Sequence, residues 1–137
     1  MKTILLVEDN DNNVSLVEDI FDFDNIPAKL VVVGTGEEAI RRVENLKPAL
    51  ILMDLRLPGM SGLEATQILK ERPQTRDIPV WAITAYAMKG DEERARAAGC
   101  CEYLTKPSQN GELTGRFRTF LKQLDKQEEE LCHFLKS

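Results

Sequence analysis

Three acidic residues lie where apolar runs of the chain end, and together they could do chemistry. Asp54 follows the run at residues 49–53, and Glu8 and Asp9 follow the run at residues 4–7. A carboxylate at the end of a buried strand is costly unless a cation or a hydrogen-bond donor faces it. Carboxylate oxygens are the ligands that Mg²⁺ prefers, and a divalent ion removes the repulsion between clustered carboxylates. The three acids therefore predict a magnesium site.

A hydroxyl and a lysine stand at two further strand ends. Thr84 ends the apolar run at residues 80–83, and Lys106 follows the run at residues 102–105. A carboxylate that attacks phosphorus forms an aspartyl phosphate, and this chemistry needs a clamp on the phosphoryl oxygens. Lys106 and a metal ion would supply the clamp. From the residues alone, Asp54 could be a metal ligand, a general base or a nucleophile.

Each of these residues also has a purely structural explanation. Acids at strand ends often cap the following helix or face water. Thr84 could simply be a β-branched strand end, and Asp54 could pair with Lys106 for structure only. Because all of them stand at matching strand ends, the chemical interpretation is favoured over the structural one.

Composition excludes several classes of function. The 137 residues suffice for one domain with a proper core, and net charge −5 argues against nonspecific binding to nucleic acid or anionic membranes. The three cysteines include an adjacent pair and form no disulfide or metal-binding pattern, so we expect a reducing, cytoplasmic setting. Neither a secretory signal nor a membrane span is predicted.

Short apolar runs alternate with helical patterns along the chain. Most of the runs lack polar alternation, as expected for a parallel sheet covered on both faces. Strands are predicted at residues 3–7, 29–33, 49–53, 80–84 and 102–105. Helices are predicted at residues 11–23, 36–46, 62–72, 89–98 and 109–124. This alternation predicts a doubly wound α/β sheet, in which ligands bind beyond the carboxyl ends of the strands.

Four segments together resemble the receiver domain of two-component response regulators, the CheY-like family. The segments are LLVEDN, LILMDLRLPGMSGLE, PVWAITAYAMKGDEERARAAGC and EYLTKP. The resemblance spans residues 1–124 and is greatest to single-domain DivK-type regulators and the receivers of hybrid kinases. It implies a flavodoxin-like (βα)5 fold with five parallel strands in the order 2-1-3-4-5.

The resemblance implies a role for each acid. Asp54 would accept a phosphoryl group from a histidine kinase or a histidine phosphotransfer protein. Asp9, Asp54 and the backbone carbonyl of Arg56 would bind Mg²⁺ directly, and Glu8 would act mainly through water. The protein would catalyse only its own phosphorylation and dephosphorylation, and would not otherwise be an enzyme.

The resemblance also implies which residues respond to phosphorylation and which set the rate of dephosphorylation. Thr84 and Lys106 would bind the phosphoryl oxygens, and Tyr103 would change rotamer when Thr84 moves. Arg56 and Tyr86 would flank the path of the hydrolytic water. Both side chains are bulky, so we expect slow autodephosphorylation.

Output is expected to be contact with a downstream protein. Residues 1–124 would form the receiver domain, and residues 125–137 a helical extension with no separate output domain. The phosphodonor would dock on the first helix, around Asn12, Asn13 and Leu16. The signalling face would comprise the fourth helix, the fifth strand and the fifth helix. Its side chains would include Arg94, Glu102, Tyr103, Arg116 and Arg118.

The end of the chain leaves self-association open. Apolar residues at heptad spacing would lie on one side of a continuous last helix: Phe117, Phe120, Leu124, Leu131 and Phe134. Such a stripe could pack against a partner or a second copy, and a solvated tail is the other explanation. A homodimer could form through this helix or through the signalling face.

Other functions are compatible with the same architecture. The chain could be an intermediate phosphoryl shuttle in a multi-step relay. A flavodoxin-like cofactor-binding module would need a phosphate loop after the first strand, where the acidic residues 8–11 would instead repel a flavin phosphate. A phosphatase would need a general acid where Arg56 stands. A receiver-like domain that only binds would not need an intact site.

Overall fold

In the part of the chain that the structure describes, five parallel strands form one sheet in the order β2-β1-β3-β4-β5. The computed structural model describes residues 1–85, 87–105 and 112–136. The strands are β1 (Lys2–Val7), β2 (Ala28–Val33), β3 (Leu50–Asp54), β4 (Val80–Thr84) and β5 (Glu102–Thr105). The predicted fold and strand order are confirmed. Asp54 proves to be the last residue of β3 rather than the residue after it, so the sheet itself fixes its backbone.

Within the described ranges, five helices cover the two faces of the sheet. They are α1 (Asp11–Phe23), α2 (Gly36–Leu46), α3 (Gly62–Glu71), α4 (Asp91–Ala98) and α5 (Glu112–Lys136). The predicted start of α4 at residue 89 was wrong because Gly90 has φ 85°, a left-handed conformation that precedes the helix. Residues 109–111 of the predicted fifth helix lie outside the described residues. At its other end α5 continues past residue 124 to Lys136.

Short polar side chains fix the start of the first three helices. Asn10 accepts a hydrogen bond from the Asn12 N–H at 2.9 Å, and Thr35 and Ser61 make the same kind of cap for α2 and α3. Such caps satisfy backbone donors that the first helical turn leaves unpaired. The loops that leave β1, β2 and β3 therefore end at well-defined positions.

The sheet separates two hydrophobic cores. One lies against α2, α3 and α4 and includes Val7, Met53, Ala82 and Leu69. The other lies against α1 and α5 and includes Ile4, Leu52, Phe21 and Phe117. Because alternate residues of a strand face opposite sides, each central strand contributes to both cores. This explains why the central strands are continuous apolar runs.

An aromatic cluster holds α5 against the sheet. Phe117 is fully buried, with its ring centroid 5.9 Å from that of Trp81 and the two rings nearly parallel. Phe120 contacts the same indole edge-on at 5.5 Å, and Leu124 packs on this core too. The first part of the predicted heptad stripe therefore covers the chain's own core. The side chains of Leu131 and Phe134 lie outside the described residues.

The two adjacent cysteines have different surroundings. Cys100 is buried, and its sulfur lies 3.9 Å from the Thr66 hydroxyl oxygen, whereas Cys101 is exposed. Burial raises the pKa of the Cys100 thiol. Among the described residues, no helix is both long enough and apolar enough to cross a bilayer.

Burial predicts unequal thiol reactivity. In a Cys132→Ser background at pH 8, Cys101 should react with an aromatic disulfide reagent at least about tenfold faster than Cys100. The raised pKa of Cys100 leaves little thiolate at that pH, and the core excludes the reagent. A stopped-flow absorbance trace should show one fast phase, which a further Cys101→Ser change removes. Two equally fast phases would contradict this assignment.

Candidate functional site

Three carboxylates meet at the carboxyl edge of the sheet. Each of Glu8, Asp9 and Asp54 has one carboxylate oxygen that lies within 4.8 Å of the corresponding oxygens of the other two residues. They converge because Val7 pairs with Met53 in the register of β1 and β3. Glu8 and Asp54 are buried and Asp9 is exposed. A compact set of carboxylate oxygens fits a hard divalent cation, so these residues could bind a metal ion.

The capping alternative for Glu8 and Asp9 does not hold. The helix that follows them is capped by Asn10, whose side-chain oxygen accepts from the N–H groups of Asn12 and Asn13. The two acids are therefore not used to start α1.

The loop between β3 and α3 folds back on Asp54. One carboxylate oxygen of Asp54, Oδ1, accepts a hydrogen bond from the Arg56 N–H at 2.9 Å. At the start of α3, a Cβ atom added to Gly62 would lie 2.1 Å from the Asp54 carbonyl oxygen. Only glycine lets the helix approach this closely, so Gly62 helps to set the position of Asp54. Sequence analysis did not single out Gly62.

Thr84 lies beside Asp54 at the same edge. Asp54 pairs with Ile83, and Thr84 is the next residue and the buried end of β4. Thr84 in turn pairs with Thr105, the last residue of β5. Lys106 and Tyr86, two further predicted site residues, lie outside the described residues.

Arg56 reaches across the carboxyl edge to a buried acid that sequence analysis missed. Its guanidinium nitrogen Nη2 lies 2.6 Å from Asp91 Oδ2, at the first residue of α4. Asp91 also accepts from Arg94 at 2.6 Å and from the Met88 N–H at 3.0 Å. The backbone hydrogen bond and the arginine contacts hold the pKa of Asp91 below its usual value. The only sequence signal for Asp91 was its place after Gly90.

Tyr103 lies on the same side of the sheet as this ion pair. Its ring is partly buried and packs against the core that lies between the sheet and α2, α3 and α4. The hydroxyl oxygen is buried and has no hydrogen-bond partner within the described part of the chain. Burial raises the pKa of Tyr103, and the negative charge of Asp91 raises it further. Tyr103 is thus a partly buried aromatic residue of β5.

One residue of the expected signalling face lies elsewhere. Arg116 of α5 pairs with Glu102 of β5 at 2.9 Å, which agrees with the predicted face. Arg118 instead donates to the Asp24 carbonyl at 2.6 Å, at the end of α1. Its placement on the signalling face was wrong because α5 turns that residue toward α1.

Comparisons with known proteins agree with this geometry. Residues 4–118 match the family model described as the response regulator receiver domain. The polar-differentiation response regulator DivK of Brucella anthropi is 44% identical over 106 residues, which cover 77% of this chain and 85% of that protein.

Solved structures give the same result. The receiver domain of a sensor histidine kinase from Pseudomonas aeruginosa PAO1, which has magnesium coordinated in its active-site cleft, is 34% identical with a TM-score of 0.77. That match covers 88% of this chain and 98% of that domain. A receiver domain of a histidine kinase from Syntrophus aciditrophicus is 28% identical with a TM-score of 0.78, covering 90% and 92% of the two chains.

The similarity extends far beyond one motif, since the family match begins within β1 and continues through β5 into α5. It confirms the resemblance to receiver domains and to DivK, and it does not favour a flavodoxin-like cofactor-binding module or a relay shuttle. Receiver domains are generally signalling modules rather than enzymes, and they act in two-component signal transduction. The chain belongs to the response regulator receiver domain family.

Proposed function

We propose that Asp54 accepts a phosphoryl group from the phosphohistidine of a histidine kinase or histidine phosphotransfer protein. The phosphorylated domain would then bind a downstream protein target. The observation that carries this proposal is the meeting of Glu8, Asp9 and Asp54 within 4.8 Å in a chain of the receiver family.

The acids would also hold Mg²⁺. Asp9, Asp54 and the backbone carbonyl of Arg56 would be direct ligands, with Glu8 acting mainly through water. When bound, Mg²⁺ offsets the carboxylate charge and stabilises charge on the phosphoryl oxygens. The magnesium in the Pseudomonas aeruginosa relative supports this choice of ion.

The transfer step needs few protein groups. An Asp54 carboxylate oxygen forms a bond to phosphorus as the donor's phosphorus–nitrogen bond breaks, and that electron pair stays on the imidazole. The Thr84 hydroxyl and the Lys106 ammonium would bind the phosphoryl oxygens. Arg56 already donates its backbone N–H to Asp54 Oδ1, which helps to orient the carboxylate. The domain would catalyse only this modification of itself and its later hydrolysis.

The remaining roles concern response and lifetime. Thr84 and Tyr103 would form the switch, and Arg56 and Tyr86 would limit access of hydrolytic water. Residues 1–124 would be the receiver, with the rest of α5 as an extension. The face of α4, β5 and α5, or the end of α5, would contact the target or a second copy, in a cytoplasmic setting.

Intact mass spectrometry tests the phosphoacceptor role. After incubation with acetyl phosphate and Mg²⁺, the parent protein should gain one phosphoryl group, and the gain should disappear when a chelator removes the metal. Asp54→Asn should gain none because the amide is a poor nucleophile. Asp77→Asn is the matched control. Asp77 is exposed and lies before β4, at the end of the strand opposite Thr84, so this variant should be labelled like the parent. Label on Asp54→Asn, or none on the parent, would overturn the proposal.

A further inference from the structure

Asp91 joins the loop that follows the phosphoacceptor to the first turn of α4. Its two carboxylate oxygens bind different partners, since Oδ2 accepts from Arg56 and Oδ1 accepts from Arg94, each at 2.6 Å. The Asp91 side chain is 2% exposed, whereas those of Arg56 and Arg94 are 47% and 55% exposed. The acid is thus a fixed buried anion, and both arginines reach it from the surface.

Of the two arginines, Arg56 is the one that could move its guanidinium from Asp91 to a group on Asp54. Its backbone N–H is bonded to Asp54 at 2.9 Å, so its side chain begins next to the phosphoacceptor. A guanidinium can bind phosphoryl oxygens through two parallel hydrogen bonds, just as it can bind a carboxylate. A phosphoryl group on Asp54 would place such oxygens within the same loop. Asp91 would keep Arg94 and the Met88 N–H as partners if Arg56 left.

The far end of this contact lies beside Tyr103. The charges of Asp91 and Arg56 both act on the Tyr103 hydroxyl, which is buried and has no hydrogen-bond partner within the described part of the chain. A change in the Arg56–Asp91 pair therefore changes the field at an aromatic side chain of β5. The pair connects the Asp54 loop to the side of the sheet that carries α4.

We propose that Asp91 is a positioning residue, which holds the Arg56 guanidinium away from Asp54 until a phosphoryl group competes for it. The inference rests on the phosphoacceptor role proposed above. In the unmodified protein the Arg56–Asp91 pair stabilises the resting position of α4. Phosphorylation transfers Arg56 to the phosphoryl oxygens and releases its hold on α4.

Beryllofluoride, a stable mimic of the phosphoryl group, tests the competition. Its half-saturating concentration would be measured by calorimetry at saturating Mg²⁺. Asp91→Asn should lower that concentration about fivefold, because Arg56 no longer has to leave a charged partner. In an Arg56→Gln background the same substitution should change nothing. Asp91→Glu, which keeps the charge, should restore the parent value, and Mg²⁺ affinity measured alone should be equal in the parent and the two Asp91 variants.

A control variant separates this competition from a general loosening of α4. Arg94→Gln removes the other guanidinium that Asp91 would keep when Arg56 leaves, so the half-saturating beryllofluoride concentration should rise, the opposite of the effect of Asp91→Asn and of a loosened α4. If Asp91→Asn changes affinity equally with and without Arg56, or not at all, the positioning role is overturned. If the parent binds no beryllofluoride, the phosphoacceptor proposal itself fails.

A measurement on the unsubstituted protein guards against a variant that does not fold. The guanidinium signals of Arg56 and Arg94 can be followed by nitrogen-15 NMR, with Arg56→Lys used for assignment. Beryllofluoride should shift the Arg56 signal strongly, whereas Arg94, which stays on Asp91, should shift less. An unchanged Arg56 signal at saturation would overturn the positioning role.

Discussion

Gly62→Ala is expected to lower the free energy of unfolding by about 3 kcal/mol. The added Cβ would lie 2.1 Å from the Asp54 carbonyl oxygen and 2.9 Å from its carbonyl carbon, and neither backbone atom can swing aside. Alanine favours a helix over glycine by about 1 kcal/mol, which is too little to offset the clash. Urea unfolding followed by circular dichroism would measure the loss.

The same substitution should impair the site more than it impairs the fold. Relief of the clash requires either α3 or the end of β3 to move, and Asp54 is the last residue of that strand. Since a displacement near 1 Å at a reacting group can cost about 100-fold in rate, labelling by acetyl phosphate should slow by about that factor. Intact mass at timed intervals measures the rate.

Gly115→Ala is the matched control for this prediction. Gly115 is an exposed residue of α5, and an added Cβ there would meet no atom within 4 Å. It should therefore stabilise the protein by about 0.5–1 kcal/mol and leave labelling of Asp54 unchanged. Equal behaviour of the two glycine variants would show that close packing at Gly62 does not set the position of Asp54.

Phe117→Ala should cost about 3–5 kcal/mol of unfolding free energy. The ring is fully buried and contacts both Phe21 of α1 and Trp81 of β4, so its removal leaves a cavity between three elements. A loss of that size is a large part of the stability of a small domain, about 5–15 kcal/mol. Urea unfolding by circular dichroism at an unchanged slope would give the value.

Phe23→Ala provides the comparison for Phe117. The same side chain is removed from α1, but Phe23 is 80% exposed. Its loss should change the unfolding free energy by no more than about 0.5 kcal/mol. A similar cost at the two positions would contradict the assignment of Phe117 to the core and of Phe23 to the surface.

The fold was predictable because a central strand that is buried on both faces of the sheet needs apolar residues at consecutive positions. Residues 80–84 were predicted as a strand and form one, because the unbroken apolar run before Thr84 is typical of a strand that is covered on both faces. Helix starts were harder to predict. The start of α4 depends on the left-handed conformation of Gly90, which the preceding turn imposes and a local pattern does not reveal.

The acids of the site were predictable for a similar reason, because parallel strands bring their carboxyl ends together. Asp91 was not, although three acids begin α4. Asp91, Glu92 and Glu93 look alike in the sequence, and only the path of the chain decides which one is buried. Its partner Arg56 is 35 residues away, beyond any helical or strand period. The direction of Arg118 likewise depends on how α5 is rotated against the sheet.

The contact between α1 and α5 has a consequence for how the protein is made. On the side of the sheet that carries α1, Phe117 and Leu121 of α5 cover the apolar surface that α1 does not reach. In the chain, α5 comes after all five strands. During synthesis β1 and α1 leave the ribosome before α5. The core of Ile4, Leu6 and Phe21 therefore stays partly exposed to water until α5 has been made. Nascent chains that stop before Glu112 therefore expose the part of this side of the sheet that α1 does not cover, the kind of apolar surface that chaperones bind.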